Sequence, residues 1–193
     1  MKTINERSTE YPIDDIFLQR YSSRAMSGKV ISKEEIMTLF EAARWSPSSM
    51  NAQPWRFVYA MCGTPEFEKL FSFIMDKNQI WAKNSSALIL LVSKNNLDDG
   101  SLSTPHSFDA GAAWENLALQ ATSMKFVSHA IGGFDKKLAK ESLEISDAYT
   151  VEIMIAIGKP GKIKDLNEAL QTREKPSQRK NLEEIVFEGN LKN

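Results

Sequence analysis

The stretch RYSSR, at residues 20–24, places two arginines and three hydroxyl groups within five residues. Guanidinium groups and serine hydroxyls form strong hydrogen bonds with anionic oxygens, so this stretch could bind an anion. A solvated basic face has the same composition. The residues alone therefore leave two interpretations, an anion site and an exposed charged surface.

A second polar cluster, SPSSMNAQPW, occupies residues 46–55 and contains two prolines, three serines and two side-chain amides. Asn51 and Gln53 each carry a hydrogen-bond donor and an acceptor, so they could read the edge of a planar heterocycle. A turn whose polar groups satisfy one another explains the segment equally well.

Several other chemistries lack support in the sequence. The two histidines, His106 and His129, have no Cys, His or carboxylate neighbour at a metal-ligand spacing, so we expect no zinc or iron site. There is no GxSxG elbow, and the single cysteine, Cys62, has no histidine nearby, which argues against nucleophilic catalysis. The pair Gly132-Gly133 lacks the full dinucleotide fingerprint.

The amino-acid composition limits the kinds of partner that the protein is expected to bind. Lys+Arg 24 against Asp+Glu 25 gives a net charge of -1, so no overall field would recruit nucleic acid or an acidic membrane surface. The N-terminal residues have no apolar signal core, and no apolar run approaches the ~20 residues of a membrane helix. We therefore predict a cytoplasmic protein that forms one domain over residues 1–193.

The elements that would position these residues follow from local patterns. Ser32 and Glu35 have the spacing of a capping box, and Ile36, Leu39, Phe40 and Ala43 then recur at helical intervals. Further predicted elements are a strand after Pro54 (WRFVYAM), a strand at 87–92 covered on both faces, a helix over 108–124, and a strand (YTVEIMIAIG) in which Val151, Ile153, Ile155 and Ile157 alternate. Residues 94–107 form a loop, and the tail 171–193 is expected to dock on the rest of the chain. The pattern predicts an α+β fold with a central β-sheet flanked by helices.

Three sets of residues resemble the FMN-dependent nitroreductase family. They are RYSSR, PSSMNAQPW after the first amphipathic helix, and the late pair AIGGFD and RKNLEEIVF. The similarity extends over nearly the whole chain. It implies a single nitroreductase-like FMN-binding domain and an intertwined homodimer with FMN at the subunit interface. One departure is Lys125-Phe126, where the family commonly closes its long helix with Gly-Leu.

The resemblance also implies roles for individual residues. Arg20, Ser22 and Arg179 would approach the phosphate and ribityl oxygens, and Arg24 the pyrimidine end of the flavin. A part of the site would come from the partner chain, through Ser48, Ser49 and Asn51. The complete implied cofactor-binding set is Arg20, Tyr21, Ser22, Arg24, Pro47, Ser48, Ser49, Asn51, Gln53, Asn78, Ile131, Gly132, Gly133 and Arg179.

The implied activity is hydride transfer from NADH or NADPH through FMN to a nitroaromatic, quinone or enone-type acceptor in a ping-pong cycle. Because the flavin carries the chemistry, we expect no catalytic side chain. Alternatives are a dehalogenase or flavin-fragmenting enzyme on the same scaffold, with residues 94–107 as its candidate lid, and a non-catalytic FMN-binding protein. A structural protein without flavin is the remaining alternative.

Overall fold

The fold was analysed in a computed structural model, which describes residues 3–191. The predicted single domain, 1–193, therefore includes four terminal residues outside the described part. The helices are α1 (Asp15–Gln19), α2 (Lys33–Arg44), α3 (Pro65–Ser72), α4 (Asp76–Ala82), α5 (His106–Ser123), α6 (Lys136–Ser142) and α7 (Glu168–Gln171). The strands are β1 (Thr3–Ile4), β2 (Arg7–Ser8), β3 (Trp55–Met61), β4 (Ala87–Lys94), β5 (Val127–Ile131) and β6 (Tyr149–Gly158), and short 3₁₀ turns cover Ser49–Asn51, Ile163–Asp165 and Leu182–Glu184.

The central sheet has four antiparallel strands in the order β3-β4-β6-β5. In β4, Ile89 and Leu91 pack with residues of α2 and α5, whereas Leu88 and Leu90 pack on the opposite face with residues of α3 and α4. A strand buried on both faces needs apolar side chains at every position, which accounts for the unbroken run at 87–92. The predicted central sheet flanked by helices is confirmed.

Helix α2 begins as its sequence indicates. The Ser32 hydroxyl accepts from the backbone N–H of Glu35 at 3.1 Å, and the Glu35 carboxylate accepts from the backbone N–H of Ser32 at 2.7 Å. Ile36, Leu39 and Ala43 are buried against the sheet. The helix ends at Arg44 and delivers the chain to the turn at 47–53.

The predicted alternation of β6 is wrong at Val151. Leu91 pairs with Ile153 but Val92 pairs with Val151, so Glu152 is an extra residue that forms a β-bulge. Val151 therefore joins the core on the α3 and α4 side, whereas Ile155 and Ile157 join the α2 and α5 side. A bulge reverses the side-chain alternation, and only strand pairing reveals it.

Helix α5 begins at His106, two residues before the predicted start. A polar cluster holds this end against the sheet: the Ser93 hydroxyl lies 2.7 Å from His106 Nδ1 and donates to Glu152 Oε1 at 2.5 Å. Ser107 Oγ donates to the same carboxylate oxygen at 2.7 Å. Since Ser93 and Glu152 come from β4 and β6, this helix start depends on tertiary contacts that a local pattern does not contain.

The end of α5 keeps the turn that glycine usually makes, although Lys125 stands there. Lys125 has a left-handed φ of 61°. The backbone N–H of Phe126 donates to the Ala121 carbonyl at 2.8 Å, and that of Lys125 donates to the Thr122 carbonyl at 3.0 Å. This pair of hydrogen bonds defines a Schellman cap. The residues Lys125-Phe126 thus preserve the shape of the turn at the cost of an unfavourable backbone conformation.

The predicted docking of the C-terminal tail is confirmed for its first part. Gln178 Nε2 donates to the Glu6 carbonyl at 2.6 Å, and the Leu182 backbone N–H donates to Glu10 Oε1 at 3.3 Å. Beyond this contact, Ile185 and Val186 are exposed. The two ends of the chain therefore lie side by side, and an apolar part of the tail stays uncovered within one chain.

Candidate functional site

A strongly basic pocket of about 310 Å³ lies where residues 20–24 meet the segment 173–179. Its lining contains six cationic side chains and one carboxylate among the described residues. The lining residues are Arg7, Arg20, Tyr21, Ser22, Arg24, His129, Arg173, Glu174, Lys175, Ser177 and Arg179. So high a density of positive charge and N–H donors in one concavity is suited to a multiply charged anion.

Five residues predicted from the sequence meet in this pocket: Arg20, Tyr21, Ser22, Arg24 and Arg179. Arg20 caps α1, its backbone N–H donating to the Ile16 carbonyl at 2.9 Å. The side chains of Arg20 and Arg24 are 15% and 22% exposed, far less than a solvated basic face requires. The geometry therefore favours the anion-site interpretation of RYSSR.

Arg7 is a pocket residue that the sequence did not indicate. A two-residue turn with left-handed Asn5 and Glu6 joins β1 to β2 and delivers Arg7 to a buried position. Its guanidinium donates to the carbonyls of Leu18 (3.1 Å), Arg20 (2.7 Å) and Ser177 (3.0 Å). These bonds join the RYSSR segment to the C-terminal segment.

The environment of Arg7 disfavours the charged form of its guanidinium group. Burial, followed by the positive charges of Arg179 and Arg20, lowers the pKa of Arg7. The guanidinium groups of Arg179 and Arg20 are thus near enough to repel that of Arg7. An anion bound among them would relieve that repulsion.

His129 and Glu174 form the inner wall. His129 Nδ1 lies 3.0 Å from the Ser23 carbonyl oxygen, so this nitrogen carries the hydrogen and donates. Burial is the main cause that lowers the pKa of His129 to about 4, and the charge of Arg24 adds to the effect. His129 is therefore neutral at pH 7 and adds no charge to the pocket. The Glu174 carboxylate accepts from the hydroxyl of Ser23 and from the backbone of residues 24 and 25.

A second group of predicted residues gathers at the end of β5, which also carries His129. Asn78 Nδ2 donates to the Gly133 carbonyl at 3.2 Å, and a Cβ on Gly133 would lie 2.6 Å from the same nitrogen. Gly133 thus accommodates Asn78, while Ile131 is buried below it. By contrast, a Cβ on Gly132 would meet nothing within 4 Å, so contacts within the described chain do not explain that glycine.

The third predicted group, on the turn at 47–53, lies apart from the pocket. Pro47, Ser48, Ser49, Asn51 and Gln53 are absent from its described lining. Some of their polar groups satisfy one another, as the alternative interpretation of this segment held: Ser48 Oγ accepts from the Gln53 backbone N–H at 3.0 Å, and Gln53 Nε2 donates to the Asn51 carbonyl at 3.0 Å.

This turn is also strained and exposed. Met50, Asn51 and Gln53 have φ values of 52°, 56° and 47°, in the left-handed region that side chains disfavour. The Ser49 backbone N–H donates to the buried Asp109 of α5 at 3.1 Å, which fixes the turn to the helix layer. Strain retained in a fixed, exposed turn is typical of binding loops.

A larger groove of about 1000 Å³ opens beside the basic pocket, between residues 7–18 and 178–183. The two cavities share Arg7, Arg20 and Arg179. No group of His, Cys, Asp and Glu that could hold a metal ion occurs within residues 3–191. In the same part of the chain, no helix combines the length and hydrophobicity needed to cross a membrane.

Comparison with known proteins places this arrangement in a family. Residues 17–86, which include RYSSR and PSSMNAQPW, match the nitroreductase family model. A protein of Archaeoglobus fulgidus, provisionally named an NADH dehydrogenase/NAD(P)H nitroreductase, is 30% identical over 78% of this chain and 86% of its own length. The chain belongs to the nitroreductase family.

Two solved structures share the fold of this chain. A crystal structure described as that of an oxidoreductase containing FMN shares 41% identity, covers 100% of this chain and 99% of its own, and superimposes with a TM-score of 0.96. A Desulfovibrio desulfuricans nitroreductase-like protein in complex with FMN has the same fold, with 23% identity, a TM-score of 0.74, and coverage of 95% of this chain and 100% of its own.

Proposed function

We propose that this chain is an FMN-dependent oxidoreductase that takes hydride from NADH or NADPH and passes it to nitroaromatic, quinone or enone-type acceptors. The basic pocket carries this proposal, because five of the residues that the family resemblance assigns to the cofactor line it together. The relatives named NAD(P)H nitroreductase and the similar oxidoreductase containing FMN support it.

The pocket suits the FMN phosphate. Arg20, Ser22 and Arg179 would hold it, with Arg7 as a further cation beside them. A phosphate monoester carries close to two negative charges at pH 7, which complements a lining of six cations and one carboxylate. Burial and then the charges of Arg179 and Arg20 lower the pKa of Arg7, and the bound phosphate would relieve the repulsion among these cations.

The isoalloxazine ring would then extend toward the end of β5. We assign Arg24 to its pyrimidine end, Asn78 to its edge, and Ile131, Gly132 and Gly133 to its central part. The open space around Gly132 supports this assignment, since the described chain leaves that side of the backbone free. Tyr21 would flank the phosphate-binding residues.

A homodimer would complete the site. Pro47, Ser48, Ser49, Asn51 and Gln53 lie outside the basic pocket of their own chain, so we propose that they reach the cofactor of the partner chain. Large exposed apolar side chains near this turn, Met50 at 84% and Phe108 at 82% exposure, support a covered surface in the assembly. The exposed Ile185 and Val186 of the tail fit the same proposal.

When bound, FMN supplies the group that accepts and donates hydride, so the protein's own residues need only bind and orient. Arg24 would place positive charge beside the pyrimidine end, and Asn78 and the Gly132-Gly133 backbone would contact the ring. We propose a ping-pong cycle in which the nicotinamide leaves before the acceptor takes its place. Cytoplasmic location stays a prediction.

Anaerobic titration of the purified protein with NADH and NADPH tests the proposal. We expect yellow protein whose flavin absorbance bleaches on addition of at least one nicotinamide and returns with a nitroaromatic, a quinone or an enone. Free FMN with the same nicotinamide is the control. Colourless protein that fails to bind added FMN contradicts the proposal.

Other outcomes identify the alternatives. Bound FMN that neither nicotinamide reduces indicates a non-catalytic flavoprotein. Reoxidation by a haloaromatic alone, among the acceptors offered, indicates a dehalogenase. Sedimentation at low micromolar concentration tests the dimer, and a monomer with one FMN per chain would contradict the shared site.

A further inference from the structure

A buried carboxylate lies inside the basic pocket. The side chain of Glu174 is 1% exposed, and it is the one acidic group among the described lining residues. A carboxylate opposes the binding of an anion, and burying a charge is costly unless it is paired. Its presence at this position therefore requires a structural or chemical reason.

One oxygen of Glu174 holds a loop. Oε1 accepts from the Ser23 hydroxyl, from the Arg24 backbone N–H at 2.8 Å and from the Ala25 backbone N–H at 3.2 Å. These three donors belong to consecutive residues, so a single acceptor fixes the backbone that carries the second arginine of RYSSR. Because Glu174 lies about 150 positions later in the sequence, the bonds also join the N-terminal and C-terminal walls of the pocket.

The other oxygen of Glu174 has no hydrogen-bond partner among the described residues. Oε2 is buried and lies 3.9 Å from Nη1 of Arg24. This distance is too long for a hydrogen bond. Oε1 therefore carries the hydrogen bonds of this carboxylate, and the Arg24 side chain, 22% exposed, lies beside Oε2 at the inner wall.

We infer that Glu174 is a positioning residue, which fixes the loop at residues 23–25 through Oε1 and thereby orders the adjoining Arg20 and Ser22, so that the phosphate of a ligand meets preassembled donors. This inference rests on the proposed function, since it takes FMN as the ligand. Donors that are already ordered lose less conformational freedom on binding, which strengthens affinity without any new contact.

The positioning role and a purely electrostatic role predict opposite results. If Glu174 only reduced the positive potential, removing its charge would tighten the binding of FMN. If it positions the loop, removing its acceptor oxygens must weaken the binding of the phosphate although the pocket becomes more positive. Riboflavin, which lacks the phosphate, separates this effect from general damage to the site.

The experiment measures the dissociation constants of FMN and riboflavin by quenching of flavin fluorescence. In Glu174→Ala we expect the preference for FMN over riboflavin to fall about tenfold or more, with riboflavin affinity little changed. Glu174→Gln keeps an oxygen that accepts the three bonds, so it should retain most of the preference. Glu168→Ala, which removes an exposed carboxylate from α7 of the same C-terminal region, is the matched control and should behave as wild type.

Several results would overturn the inference. They are an unchanged or increased preference for FMN in Glu174→Ala, an equal loss of affinity for both flavins, and a Glu174→Gln variant as weak as the alanine variant. If Glu174→Ala does not fold, Ser23→Ala, which removes one of the three donors, must lower the preference by about threefold, and no change there overturns the inference as well.

The failure of the proposed function would look different. A wild-type protein that binds neither flavin removes the proposed function and this inference together. A wild-type protein that prefers FMN, beside a Glu174→Ala variant with the same preference, removes the inference alone.

Discussion

Replacement of Arg20 by methionine separates affinity for the cofactor from stability of the fold. Arg20 lines the basic pocket and has one ion pair in the described chain, with Nε 3.8 Å from Glu115 Oε1. The Glu115 side chain is 48% exposed and the contact is longer than a hydrogen bond, so solvent screens the pair and it contributes about 0–1 kcal/mol. Its loss is opposed by relief of repulsion, because the charge of Arg20 helps to lower the pKa of Arg7.

The expected effects of Arg20→Met on the stability of the fold and on the affinity for FMN differ in size. We expect the free energy of unfolding of the cofactor-free protein to change by less than about 1 kcal/mol. A hydrogen bond to a charged group is worth about 1.5–3 kcal/mol, so the dissociation constant of FMN should rise by roughly one to two decades. The dissociation constant of riboflavin should hardly change, since riboflavin has no phosphate.

Urea unfolding of cofactor-free protein and fluorescence titration with both flavins measure these quantities. Arg44→Met is the matched control, because Arg44 is exposed, pairs with Glu41 and lies outside the pocket. An unchanged FMN affinity would refute the phosphate assignment of Arg20. A loss of stability above about 2 kcal/mol would show that its contacts within the fold had been underestimated.

Three further outcomes are expected. Arg24→Met should lower the two-electron potential of bound FMN by about 20 to 45 mV, the equivalent of 1 to 2 kcal/mol, because positive charge beside the flavin stabilises its anionic reduced form. A redox titration measures this shift, and Arg20→Met, as the comparison variant, should shift the potential less. Lys125→Gly should stabilise the protein by about 1 kcal/mol in urea unfolding, since Lys125 is left-handed, whereas Lys83→Gly, at a right-handed helix end, should destabilise it. The pKa of His129 is about 4 in the fold and ~6.5 in the unfolded chain, so the unfolded state binds more protons between these two pH values. The free energy of unfolding should therefore fall by up to about 3 kcal/mol as the pH drops from 7 to 4. His129→Asn should flatten this pH dependence, and an unchanged slope in that variant would contradict the low pKa of His129.

The sequence predicted those parts of the fold that depend on residues close together in the chain. The capping box of α2 and the apolar run of β4 depend on residues within a few positions of one another, and both are confirmed. The reversed alternation at Val151 and the start of α5 at His106 depend on strand pairing and on Glu152. Those contacts join distant parts of the chain, so no local pattern contains them.

The residues of the candidate site also fall into two groups, those that the sequence indicated and those that only the folded chain reveals. RYSSR identified one wall of the pocket because its arginines and hydroxyls are contiguous. Arg7 is a lone arginine in the sequence, and Glu174 is one acidic residue in a charged segment, so neither stands out before the ends of the chain are brought together. Arg and Lys are dense at 173–180, which is a signal visible in the sequence, whereas the family resemblance indicates Arg179 alone in this stretch. The contribution of residues 47–53 stays a prediction, because it depends on a second chain.

The hydrogen bond between the Arg7 guanidinium and the Ser177 carbonyl joins two walls of the basic pocket, and it can form only after both residues have been synthesised. Their hydrogen bond spans 170 positions, and a ribosome that adds about 5–20 residues per second needs roughly 10 to 30 s to cover that distance. Every strand of the central sheet leaves the ribosome before Ser177 does, since β6 ends at Gly158. The nascent chain can therefore build its core while the basic pocket is still incomplete, and under the proposed function the FMN phosphate would meet the complete pocket at the last stage of translation or after it.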